Sequence, residues 1–144
     1  MNTIAIFNVY NTVVLIPWIA MFVFPQTRFT QTMVSNKWPV FCIGLSYLVL
    51  FVIDVITGTG VGIDFTSFES IKAAFARDEV LLIGWLHYLA FDLFVGFWIF
   101  EDAQKKRIKH LVLLPCLLFT LMLGPVGWLL YQFNGVSKHF KQKK

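Results

Sequence analysis

Charge is scarce in this chain. Only 14% of its 144 residues are charged, against 58% hydrophobic, where soluble domains carry about a quarter charged residues. A water-facing surface cannot be covered on that supply, so a soluble globular protein is excluded and lipid-facing helices are expected. Histidine is scarcer, with three in the chain. Membrane di-iron enzymes need histidine-rich boxes that three residues cannot fill. His87 and His110 sit of order 20 Å apart along the helix axes, too far to share a haem. No metal and no cofactor are expected. The two cysteines, Cys42 and Cys116, show no C-x-x-C or zinc spacing; both fall inside apolar runs, a few residues in from the same membrane face, and read as small buried hydrophobes. A basic n-region, a small-residue cleavage site and the Arg- and Ser-rich character of a transit peptide are missing after Met1, so the first span is expected to be retained.

The apolar residues divide into four runs, at about 4–24, 38–56, 79–100 and 110–133, each near the 20 residues that cross a bilayer. The expected fold is all-α, a single four-transmembrane-helix bundle over residues 1–144. Pro17 predicts a modest kink near Val13, and Pro39 fits the first turn of the second helix. Residues 26–37 read as a polar connection. Thr66-Ser67-Phe68-Glu69 matches a capping box, with Phe68, Ile71 and Phe75 at helical spacing opposite Glu69, Lys72 and Arg77. That pattern predicts a short interfacial amphipathic helix between helices 2 and 3, an anchor or a lid. Gly58-Thr59-Gly60-Val61-Gly62 has the wrong spacing for a phosphate loop and follows a membrane helix. In the last run, Pro115 and Gly124-Pro125-Val126-Gly127 predict bending and close backbone contact, with unwound backbone available to line a cavity.

The net charge of +4 comes from two basic runs flanking spans, Lys105 to Lys109 and Lys138 to Lys144, which read as headgroup anchors. Membrane lipids, not nucleic acid, are the expected partners, with self-association into a homo-oligomer left open. Four crossings put both termini on one side and divide Lys and Arg six against six, which leaves the orientation open.

Ionisable groups inside a span are costly and mark candidate sites. His87 lies about 12 Å and Asp92 about 20 Å into the third helix, and on an ideal helix they point about 140° apart. Asp92 shares its face with Trp85, Tyr88 and Gly96, His87 with Gly84, Phe91, Phe94 and Trp98, so each needs its own partner unless a π-bulge realigns them. Asp54, near the end of helix 2, is the best charged partner for His87, or else snorkels to the headgroups. Asp102 and His110 gather at the opposite face as a polar clip on the hairpin, structural before catalytic.

Gly84-Trp85-Leu86-His87, Ala90-Phe91-Asp92-Leu93-Phe94, Asp102-Ala103, His110, Leu114-Pro115-Cys116-Leu117 and Gly124-Pro125-Val126-Gly127 together resemble the abscisic-acid-deficient-4-like membrane family. Its plant members are associated with neoxanthin synthesis. The resemblance implies a carotenoid or related isoprenoid ligand, and for the plant case conversion of an epoxycarotenoid to its allenic isomer. It brings no catalytic residues to transfer, and without a transit extension it implies a bacterial inner membrane. Epoxide opening to an allene needs an acid at oxygen and a base at carbon, with no redox cofactor. His87, Asp92 and Asp54 are the candidates for those roles, and Trp85, Tyr88, Phe91, Phe94 and Trp98 for lining the ligand. A non-catalytic carotenoid- or lipid-binding accessory subunit would use the same residues to lock the bundle.

Overall fold

The computed structural model describes residues 2–57 and 63–141, with side chains as far as Phe133. The glycine run at 58–62 and the side chains of the basic tail lie outside the described residues. Among the described residues seven helices follow one another: α1 (Thr3–Val13), α2 (Leu15–Val23), α3 (Arg28–Asn36), α4 (Trp38–Ile56), α5 (Phe68–Phe75), α6 (Asp78–Lys105) and α7 (His110–Lys141). Four stretches are long and apolar enough to cross a membrane: Thr3–Val23, Trp38–Ile56, Asp78–Lys105 and His110–Phe133. Ile4, Phe41, Ile56 and Leu111 are among many large apolar side chains that point outward. Lipid is the solvent that makes such a surface stable.

The break between α1 and α2 falls at Val14, one residue from the kink expected from Pro17, whose ring displaces the backbone of the preceding turn. The connection after α2 is more ordered than its polar composition implied. Thr27 caps α3 by accepting from Thr30 N at 3.3 Å, while Thr30 Oγ1, fully buried, donates to Phe24 O at 2.7 Å. α5 begins one residue later than the Thr66 to Glu69 capping box implied: Ser67 is the N-cap, its Oγ accepting from Ser70 N, because Thr66 is engaged by Asp64. Just before it, the Thr66 hydroxyl and amide hold the Asp64 carboxyl below its ordinary range.

α6 is the axis of the molecule, packed by α4, α7, α1, α3 and α5. Leu86, Leu93, Phe97 and Ile99 are completely enclosed along it. α2 lays Trp18 across Gly96, and at the far end Lys37, which closes α3 in a left-handed conformation, reaches both Glu101 oxygens at 3.1 Å.

α7 does not run straight. Leu123 leaves the helical region at φ −149°, ψ 66°. In an unbroken helix residues 120 and 127 would lie about 10 Å apart along the axis, and residues 110 and 131 about 30 Å. Instead the backbone at Gly127 rests on the preceding arm, where a Cβ would come within 2.2 Å of Thr120 N and 2.5 Å of Cys116 O. Tyr131 returns to the end from which His110 set out, its hydroxyl donating to Asp102 Oδ2 at 2.5 Å. The fourth apolar stretch has the length of a crossing, but it is folded into two arms, 110–122 and 124–141. Its tip lies beside Asp92, halfway along α6.

Candidate functional site

Breaking a helix in the middle of an apolar bundle exposes carbonyls at the end of one arm and N–H groups at the start of the next. Two residues one turn apart on α6 meet them. The Tyr88 hydroxyl donates to Met122 O at 2.8 Å, closing the C-terminal end of the first arm. The Asp92 carboxylate lies against Gly124 and accepts from its N–H, at the positive end of the second arm. A Cβ at Gly124 would stand 2.0 Å from Asp92 Oδ1, so glycine is what lets the carboxylate approach. Pro125 adds to the break, since it can open a helix but not continue one.

Asp92 is 8% exposed, and its Oδ2 is buried with no hydrogen-bond partner among the described residues. The single phenolic proton of Tyr88 is committed to Met122, which leaves Oδ2 unserved. A buried carboxylate oxygen without a donor is costly, and the structure places it halfway along α6 beside a helix N-terminus. It can accept from, or when protonated donate to, an oxygen function brought to the break.

The two faces of α6 separate as the helical spacing requires. Trp85 and Tyr88 lie on the Asp92 face, ring centroids 5.1 Å apart, and Trp85 Nε1 donates to Asn11 Oδ1 at 2.7 Å. His87, Phe91, Phe94 and Trp98 lie on the other face and are exposed. The His87 ring stacks on Phe91 at 4.6 Å and tilts against Tyr47 at 5.7 Å. Trp98 meets the buried Tyr131 edge to face at 6.0 Å.

Two pairings expected from depth and position do not form. Asp54 is held by Arg77 Nη2 at 2.6 Å and not by His87. Arg77 stands just before α6, at the level where α4 ends, whereas His87 is more than two turns further in; a guanidinium within direct reach also binds a carboxylate more strongly than imidazole across a gap. Asp102 and His110 do not clip to each other either. Asp102 takes Tyr131 and Lys106, the latter at 2.6 Å, and His110 Nε2 donates to Phe22 O at 2.9 Å. The return of the second arm brings Tyr131 to Asp102, and the end of α2 offers His110 a free carbonyl.

Asn11, Arg77 and Tyr131 were not singled out as contributors. Asn11 carried a signal, an amide within an apolar span; Tyr131 carried none until the fold-back was known. Cys116 is buried as expected, whereas Cys42 is exposed on the outer side of α4, against the reading of both as buried hydrophobes. Among the described residues no three His, Cys, Asp or Glu side chains gather to hold a metal.

No curated protein and no solved structure matches the chain. The family model described as ABA DEFICIENT 4-like matches residues 5–131, nearly the whole bundle including the broken helix, and the chain belongs to that family.

Proposed function

We propose that this membrane protein acts on a carotenoid or related isoprenoid by acid–base isomerisation at the helix break. The observation that carries the reading is Asp92 Oδ2, buried at mid-depth without a partner next to the Gly124 N–H. Family membership supplies the link to neoxanthin synthesis. In an epoxide-to-allene rearrangement a proton is delivered to the epoxide oxygen, one C–O bond breaks, and a proton leaves the adjacent chain carbon; no atom is gained or lost. Asp92 is the group that transfers the proton, with Tyr88 and the positive end of the second arm fixing its position. His87, on the outer face, takes no step in this scheme, and Asp54 is engaged by Arg77.

A second reading draws on a different fact: Tyr88 and Asp92 are both already employed in closing the break. On that reading the chain is a carotenoid- or lipid-binding accessory subunit. Expression in a carotenoid-producing host separates the two, with pigments quantified per amount of folded protein. The isomerase reading expects an altered pigment profile, lost at least a hundredfold in Asp92→Asn, which keeps the acceptor for Gly124 N–H, and retained in His87→Gln. Pigment that copurifies unchanged from wild type is the outcome that supports the accessory reading and ends the enzymatic one.

A further inference from the structure

His87 takes no part at the helix break, yet it stands where a polar group is expensive. It lies about 10 Å along the helix from Val80, within the apolar part of α6. The side chain is exposed on the outer face, and among the described residues it makes no hydrogen bond; its ring meets only Phe91 and Tyr47. Lipid at that depth offers neither donor nor acceptor, so an imidazole turned towards it is costly. The residues around it have a pattern of their own. His87, Phe91, Phe94 and Trp98 follow at intervals of four, three and four, the spacing by which one helix presents a seam to another. All four are exposed. α4 borders the seam through Tyr47 and α7 through Tyr131, and neither covers it.

We propose that this seam is the contact between two copies of the chain, paired about a two-fold axis along the membrane normal. Chains inserted the same way set α6 parallel to its copy, so each position on the seam meets itself at the same depth. A neutral imidazole carries one donor and one acceptor nitrogen. His87 of one protomer therefore donates to His87 of its partner, and the bond serves one nitrogen on each ring. Phe91, Phe94 and Trp98 pack against their counterparts as in a left-handed pair of spanning helices, crossing at about 20°. A polyene lying on the same rings would bury them too, but its hydrocarbon serves neither nitrogen; a second copy brings matching chemistry to that depth. The contact adds to the pair and not to the fold of one chain. His87 points about 140° away from Asp92, so the pairing stands apart from the isomerisation reading, and either can fail alone.

The test uses the full chain in phosphatidylcholine vesicles, with Cys42→Ala as background because Cys116 is buried. Phe91→Cys and Phe94→Cys are each expected to give a disulfide-linked dimer under mild oxidation with copper phenanthroline. Ile19→Cys is expected to stay monomeric: it is exposed on α2, which packs on Gly96, half a turn round α6 from His87. Energy transfer between chains labelled at Gln104→Cys, followed as the vesicles are diluted with lipid, gives the affinity. His87→Leu is expected to weaken pairing about three- to fifteenfold, the range of one interhelical hydrogen bond in lipid. His87→Gln keeps a donor and an acceptor and is expected to pair within about twofold of the unsubstituted seam. The Gln104→Cys chain, altered only at exposed positions, keeps the test decisive should the seam variants fold poorly. Transfer no greater than random proximity, cross-linking of Ile19→Cys as readily as Phe91→Cys, or undiminished pairing of a folded His87→Leu variant each overturns the proposal. So does loss of the Phe91→Cys cross-link on adding one β-carotene per chain, which assigns the seam to a polyene.

Discussion

Gly124 and Gly127 stand three residues apart, and they are tight for different reasons. At Gly124 the obstacle is a side chain, the Asp92 carboxylate, which can swing aside; at Gly127 it is the backbone of Thr120 and Cys116, which cannot. Gly127→Ala is therefore expected to cost more, about 2–4 kcal/mol as an overpacking change, and Gly124→Ala less. Thermal unfolding in detergent checks the order. At Asp92 itself, Asp92→Asn is expected to keep the fold better than Asp92→Leu, since leucine leaves the Gly124 N–H without an acceptor; an equal or higher melting temperature for leucine would show that the break is closed by other means. His87→Phe, on an exposed aromatic face, is expected to shift the melting temperature by only a degree or two. How much of the site was legible residue by residue follows from these contacts. Asp92, Trp85 and Tyr88 stood out because helical spacing put them on one face. The wrong partner for Asp54 came from reading depth along spans alone, when Arg77 lay in the segment between them.

At the scale of elements, the spans, the Val14 interruption and, to within a residue, the start of α5 were readable because they depend on local chemistry: apolar length, a proline, a hydroxyl before a turn. α3 was not, since Thr27 to Asn36 has little hydrophobicity and earns its order from Thr30 buried against the end of α2. The sharpness of the turn in α7 was not readable either. Gly-Pro-Val-Gly announced a bend, but a kinked crossing and a fold-back share the same glycines, and long-range contacts decide between them: Gly127 on Thr120 and Cys116, and Tyr131 on Asp102. Tyr131→Phe removes that tie while keeping the packing against Trp98. It is expected to lower stability by about 1–3 kcal/mol, as for a hydrogen bond to a charged group, and to loosen the second arm, visible as faster amide exchange around residues 128–133.

For the whole molecule, the folded-back helix changes which side the chain ends on. Three crossings and a hairpin that enters and leaves by one face put the second arm with α3 and the α6–α7 loop, opposite α5. Cysteines introduced at Ser35, Gln104 and Ser137 are expected to label from one side of sealed vesicles and Ser70 from the other; Ser137 labelling together with Ser70 would mean that the last helix crosses. The charge census then reads differently. With four crossings the basic tail offsets the loops and the Lys and Arg residues tie; once the second arm folds back that offset is lost, and among the residues described with side chains Arg28, Lys37, Lys105, Lys106, Arg107 and Lys109 stand on one face, Lys72 and Arg77 on the other. By the positive-inside rule that face is expected to stay on the side from which the chain inserts. The turn at Leu123 thus converts a chain whose charges set no preferred orientation into one whose charges do, with α3 and the α6–α7 loop expected on the side that is not translocated and α5 on the side that is.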